Sequence, residues 1–325
     1  MPQALILGAG QIGRACDDAL RVADWHTTML DRRSVIGGVS FDRRSAAAVA
    51  AAVGNGADLV VDTIGFGRTD AALLVPFAAS IGHLVTISSA SVYADAAGRS
   101  LDEARINGFP EFDGPIMETT ATVAPGDETY STRKVAMEQH LRIRMTCPVA
   151  VLRPCAIHGV GSRHPREWWF VKRLLDGRCD VPLAHYGQSR FHTTAASAIG
   201  RLVTVLAAQR TSGIFNIADA DAPTVAEIGA TIAARMARPL TIKPLAGAPH
   251  RHVGQTPWSV PRLYIIDGSA ALAAGYLHQG DYASQVAPMI DWLVTSAGTG
   301  DWRARFPVLA SYGFDLFDYA AEDAA

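Results

Sequence analysis

The sequence predicts an α/β fold with a doubly wound parallel sheet, and three observations predict it. Nearly continuous apolar runs alternate with helix-compatible segments through the first half of the chain. The first such run leads into the glycine turn LGAGQIG, in which Gly8, Gly10 and Gly13 match G-x-G-x-x-G ahead of RACDDALRVA. The second run ends on an aspartate, Asp31, 23 positions after Gly8. Together these describe a Rossmann-like sheet.

Taken in order, strands are expected at ALILG (4–8), HTTMLD (26–31), ADLVVDTIG (57–65), HLVTISS (83–89) and VAVLRP (149–154). Helices are expected near 45–53, 69–80 and 130–145. Only ten residues, RRSVIGGVSF, separate Asp31 from Asp42, and part of that stretch has to be a strand. A parallel crossover with its own helix needs about a dozen or more. The second crossover helix is therefore expected to be missing. After VLRP the texture changes to short pieces such as HGVGSRHPREWWF and HRHVGQTPWSVP, rich in Pro, Gly, Trp and His. This divides the chain into a dinucleotide-binding domain over 1–154, with returning segments near 195–218 (the helix AASAIGRLVTVLAAQ and the strand GIFNIAD), and a smaller, mainly substrate-binding region over 155–325.

Bulk properties narrow the function. The 325 residues are 49% hydrophobic and 18% charged, which allows a substantial core. A net charge of -2 gives no basic footprint, so nucleic acid is not an expected partner. No signal segment or apolar run of bilayer-spanning length is found, so a cytoplasmic location without a membrane partner is expected. Cys16, Cys147, Cys155 and Cys179 have no C-x-x-C spacing, and His250-Arg251-His252 lacks further ligands at metal spacing. No metal is expected.

The glycine turn fits a cofactor cradle. Gly8 suits a tight turn, Gly10 the approach of a pyrophosphate, and Gly13 close packing of helix on strand. The first helical turn, with Gln11, Ile12 and Gly13, presents unpaired N–H groups to the phosphates. Asp31 sits where a carboxylate bonds the adenosine ribose. Arg32 and Arg33 follow, and a guanidinium there can hold a 2′-phosphate instead. NAD is the expected cofactor, with NADP left open.

Further along, Tyr130-Ser131-Thr132-Arg133-Lys134 is a Y-x-x-x-K whose ends stand one helical turn apart on one face. An ammonium near a phenol favours phenolate, which a tyrosine with a pKa of about 10 needs to act as a base near neutrality. Only three of the 29 basic residues are lysines, so the pattern arises by chance in roughly one such chain in fourteen. Ser88-Ser89-Ala90-Ser91-Val92-Tyr93 follows the strand HLVTI and opens where parallel sheets bind ligands. A serine hydroxyl there can donate to a substrate oxygen.

With these motifs the chain resembles the extended, atypical short-chain dehydrogenases/reductases, the NAD-dependent epimerase/dehydratase group, from LGAGQIG through ISSASVY, YSTRK, VLRPCAIHG and GIFNIAD to MIDWLV. SFDRRS and VVDTIGF resemble a branch with a shortened second crossover. The resemblance implies catalysis by Ser89, Tyr130 and Lys134. It also implies ribose contact by Lys134, an adenine site near Asp42 with Arg43, and a cofactor wall at Thr63, Ile64 and Gly65. Departures carry information too. Family dehydratases have acidic residues after the serine, where this chain has Ala90 and Ser91, which disfavours elimination. Cys155-Ala156-Ile157-His158 after Arg153-Pro154, and alanines after Ser189–Thr194, count against a nucleotide-sugar substrate.

Substrate contacts are expected from Ser91, Tyr93, His158, Arg163, Trp168, Arg190 and His192, beside His164, Arg166 and Trp169; the tryptophans fit a core equally well. The expected activity is NAD(P)-dependent oxidoreduction or epimerisation at a hydroxyl- or keto-bearing carbon of a small, anionic or sugar-like molecule. Epimerase and dehydrogenase or reductase stay open, since both use the same three residues. The alternative is a cofactor-binding regulatory or RNA-associated protein without turnover. A homodimer is the expected assembly.

Overall fold

A computed structural model describes residues 1–32, 39–296 and 300–324. The chain divides into two compact units: Met1–Cys155 with Ala196–Ala218 and Ile266–Gln279, and Ala156–Ala195 with Asp219–Ile265 and Gly280–Ala325. The return of Ile266–Gln279 to the first unit has no counterpart in the division read from the sequence.

The first unit opens with β1 (Gln3–Leu7), α1 (Gln11–Val22), β2 (His26–Asp31), β3 (Val39–Ser40) and α2 (Ala46–Val53). It continues through β4 (Leu59–Asp62), α3 (Arg68–Ala72), β5 (Leu84–Ile87), the single turn α4 (Ala104–Asn107), α5 (Tyr130–Arg144) and β6 (Val149–Pro154). Among the described residues seven parallel strands form one sheet, in the order β10-β6-β5-β4-β1-β2-β3, where β10 is Gly213–Ile217. The order reverses between β1 and β4, the place where doubly wound sheets open a crevice beyond their strand ends. β4 and β5 are buried at every position, as strands covered on both faces must be.

Two boundaries depart from the sequence reading for identifiable reasons. β4 ends at Asp62 instead of running to Gly65, because the Asp62 carboxylate accepts the N–H groups of Ile64 and Gly65 and turns the chain. The helix expected over 69–80 is split into α3 and a 3-10 segment, Val75–Ser80, that carries Pro76 in its first turn; proline supplies no N–H to continue an α-helix. β2 and β3 pair in parallel through Leu30–Val39 and Asp31–Ser40. Most of the link between them, 33–38, including Arg33, lies outside the described residues.

α7 (Ala196–Gln209) packs on α1 so closely that a Cβ at Gly200 would overlap the carbonyl of Ala15. The second unit pairs β7 (Ala156–His158) with β9 (Thr193–Ala195), and β8 (Asp180–Leu183) with β11 (Thr241–Pro244). Its core joins α6 (Trp168–Leu175), α8 (Val225–Arg235) and α10 (Tyr282–Ser296) through Trp169, Phe170, Ile228, Val286 and Leu293.

Candidate active site

At the glycine turn each glycine answers a different demand. Gly8 has φ +104°, and a Cβ there would come within 2.5 Å of Thr63 Oγ1 and of Ile64 Cγ2. Thr63 ties the two loops together, its Oγ1 donating to Leu7 O at 2.8 Å. A Cβ at Gly13 would overlap the carbonyl of Gly8. Gly10 differs: its φ of -75° suits any residue, and a Cβ there would meet no protein atom within 4 Å. Neither backbone strain nor packing asks for glycine at 10, so the space it leaves fits a group from outside the chain. α1 begins there with no side-chain cap and no acidic residue in its first turn, which leaves the N–H groups of Gln11, Ile12 and Gly13 for an anion.

These differences give a prediction. Gly13→Ala should lower stability by about 1–3 kcal/mol through overpacking, whereas Gly10→Ala should melt like wild type and bind the dinucleotide at least about tenfold more weakly. Thermal melts and titration calorimetry check both. Wild-type affinity in Gly10→Ala would remove the turn from the cofactor site.

On the adenosine side, the Asp31 carboxylate accepts the Ala9 N–H at 3.1 Å and so sits against the glycine turn. Arg32 and Asp42 are exposed, and Asp42 Oδ1 accepts the Arg44 N–H at 3.0 Å. Arg43 has a partner that the sequence reading did not name. It is buried, its Nη2 pairing with Asp62 Oδ2 at 2.8 Å, while its Nε and Nη1 meet no hydrogen-bond partner in the chain. A carboxylate inside an otherwise apolar strand end requires such a partner. Asp62 itself was missed; the signal for it was a charge closing the run LVVD. Its closeness also explains Gly65, where a Cβ would lie 2.6 Å from Asp62 Oδ2.

The catalytic candidates come from two neighbouring elements. Ser89 follows β5 and caps the 3-10 turn Ala90–Val92, its Oγ accepting the Ser91 N–H at 3.1 Å. Tyr130 is the first residue of α5, whose start is set by a capping box of Thr129 and Thr132. Ser89 acts on the Tyr130 phenol, lowering its pKa. One turn on, Lys134 is buried, and its Nζ donates to Gly65 O at 2.7 Å and Ile87 O at 2.8 Å, lying 5.7 Å from the centre of the Tyr130 ring. Phe66, also missed, lies 5.4 Å from Tyr130 ring to ring, with Arg133 over its other partner face at 5.6 Å.

Electrostatics modifies the expected roles. Burial lowers the pKa of Lys134 to about 8, while the carboxylates of Asp62, Glu138 and Asp70 pull it back up. The Tyr130 pKa is raised, first by desolvation and then by the charge of Asp102, against a lowering by the Ser89 hydrogen bond. Within this chain Ser89 opposes that rise, and the Lys134 ammonium lies 5.7 Å from the centre of the Tyr130 ring. The lysine's two carbonyl partners hold it across the ends of β4 and β5.

Most of the expected substrate contacts fall elsewhere in function. Tyr93 is buried in the first unit, donates to Asn216 Oδ1 at 2.6 Å and lies under the Arg153 guanidinium. Its outward reading fails because Arg153 and Asn216 satisfy it internally. In the second unit His158 is buried and bonds Asp219 at 2.7 Å, and His192 is buried with Nε2 3.1 Å from Asp219 O. Trp168 is buried against Phe306, and Trp169 lies beneath Arg173. Arg190 is held by Ala222 O and by Glu227. His164 bonds Tyr312, and burial lowers its pKa to about 3. Arg163 is exposed, and Arg166 lies 5.8 Å over the Phe191 ring. Within the first unit, Ser91 stands beside the catalytic candidates.

No protein-family profile and no curated sequence matches the chain. Solved structures do share its fold. MoeE5, determined with UDP-glucose and NAD, is 19% identical with a TM-score of 0.67, covering 91% of this chain and 100% of its own. UDP-N-acetylglucosamine 4-epimerase from Bacillus cereus is 16% identical with a TM-score of 0.68, over 90% of this chain and 99% of its own. WbmH of Bordetella bronchiseptica, determined with NAD+, is 15% identical with a TM-score of 0.70, over 90% and 98%. The chain thus has, over nearly its whole length, the fold of these NAD-binding proteins, which is the fold the sequence resemblance implies.

Among the described residues no helix is long and apolar enough to cross a membrane, and no group of His, Cys, Asp or Glu is arranged to hold a metal.

Proposed function

We propose that the protein is an NAD-dependent enzyme of the epimerase and dehydrogenase type, acting on a hydroxyl-bearing carbon of a small sugar-like or anionic molecule. One observation carries this reading: Tyr130 stands one helical turn from a buried Lys134, whose Nζ lies 5.7 Å from the Tyr130 ring centre and donates to Gly65 O on the loop packed on the glycine turn. Bound NAD supplies a hydride acceptor and a positively charged ring. Tyr130 moves the proton of the substrate hydroxyl, Ser89 donates to the same oxygen as charge develops, and Lys134 holds the cofactor ribose. Its structural relatives include a protein determined with UDP-glucose and a UDP-N-acetylglucosamine 4-epimerase, which supports a nucleotide-linked sugar as the first substrate to try despite the departures after Arg153-Pro154.

The test incubates the protein and NAD with a panel of UDP- and dTDP-hexoses and simple hydroxy acids. Accumulating reduced nicotinamide marks a dehydrogenase; an inverted sugar without net reduction marks an epimerase. If the only activity found persists in Tyr130→Phe, the reading falls. A regulatory protein without turnover would bind NAD and convert nothing.

The same site favours NAD over NADP. A 2′-phosphate beside the Asp31 carboxylate meets repulsion of about 1–4 kcal/mol, and the exposed Arg32 offsets it only by turning inward. Wild type should prefer NAD by about tenfold or more, and Asp31→Ala should narrow the gap. Equal preference in both proteins would show that Asp31 does not read the ribose.

A further inference from the structure

Beside the Ser89–Tyr130 pair lies a second hydroxyl pair that none of the assigned roles uses. Ser131 is fully buried on the first turn of α5, next in sequence to Tyr130. Its Oγ is 2.9 Å from both the Oγ and the carbonyl oxygen of Ser91, forty positions away. Ser91 in turn holds Ser89 twice, through its N–H at 3.1 Å and its Oγ at 2.9 Å. The backbone N–H of Ser131 is itself fixed by Asp102 Oδ2 at 2.7 Å. The contacts run without a break from Ser131 on α5, the residue after Tyr130, through Ser91 to Ser89.

From this chain of contacts, anchored next to Tyr130, we infer that Ser131 is a positioning residue, which with Ser91 sets the distance and direction of the Ser89 hydroxyl relative to the Tyr130 phenol. The inference rests on the catalytic reading of Ser89 and Tyr130. A hydroxyl on a 3-10 turn of three residues has little to hold it in place unless a neighbour does, and a hydrogen bond weakens steeply as its angle degrades. Burial of Ser131 makes the bond to Ser91 the natural use of its proton, since an unpaired hydroxyl there would be costly. A purely packing role would be served as well by alanine, which has the same bulk without the two contacts.

The sign of a titration separates these. Ser89 lowers the Tyr130 pKa, whereas desolvation and the Asp102 charge raise it. Losing the alignment should therefore move the phenol further up; simple loosening of the helix end would hydrate it and bring it down toward its ordinary value. The phenol of Tyr130 is read from the ultraviolet difference between each variant and the same variant carrying Tyr130→Phe, with and without NAD. Ser131→Ala and Ser91→Ala should both raise it by about half a pH unit, the size expected for loss of one neutral hydrogen bond, with NAD affinity within about twofold. Asp102→Asn should lower it. No shift, or a downward shift, in Ser131→Ala overturns the inference, and Ser91→Ala decides it in the same way if Ser131→Ala does not fold. Because the titration needs no substrate, it stands apart from the test of turnover in Tyr130→Phe.

Discussion

Tyr130→Phe should abolish turnover, by about 10²–10⁴-fold in kcat, while leaving NAD affinity within about threefold. The substitution removes one oxygen. Tyr130 keeps 39% of its surface exposed, so no buried cavity is opened, and Ser89 retains its bonds to Ser91. The two measurements together carry the meaning: a variant that binds and does not turn over places the missing atom in the chemistry. Activity near wild type would exclude the phenol as the proton-transfer group, and loss of NAD binding would show that the ring serves the cofactor instead.

Lys134→Met should damage both properties. The side chain is buried, and its ammonium spans Gly65 O on the loop after β4 and Ile87 O at the end of β5. Methionine fills the stem's volume and leaves both carbonyls without that donor, at about 1–3 kcal/mol for each one that stays buried. Relief from burying a charge offsets part of this. The expected result is NAD binding weakened by about tenfold and kcat lowered by about 10² or more. A pH series sharpens it. Since burial brings the Lys134 pKa to about 8, the group is charged below that pH and neutral above it. Wild-type NAD affinity should fall as pH rises through about 8, and the affinity of Lys134→Met should be flat across the same window. A flat wild-type profile would mean that the charge of Lys134 does not contribute to cofactor binding.

Much of the first unit was legible because its signals are local. Apolar runs such as LVVD and LVTI can only be strands covered on both faces, and Gly8 with its φ of +104° belongs to a turn that the spacing of three glycines already announces. The Y-x-x-x-K spacing puts Tyr130 and Lys134 on one face of any helix. The substrate candidates read poorly for the opposite reason. Tyr93, His158, Trp168 and His192 are chemically suited to ligands, yet whether they face one depends on Asn216, Asp219 and Phe306, which lie far from most of them in sequence.

The sequence by itself determined the strand and helix alternation, the glycine turn and the placing of Tyr130 and Lys134 on one helix face, since each follows from spacing within about one turn or one strand. Only the tertiary structure decided partnerships. It turned Arg43 inward to Asp62, gave Lys134 two carbonyl partners, and joined Ser131 to Ser91 across forty residues. The physical reason is the same in each case. A buried charge or hydroxyl takes its role from whichever group satisfies it, and for these residues that group arrives on a different element of the fold.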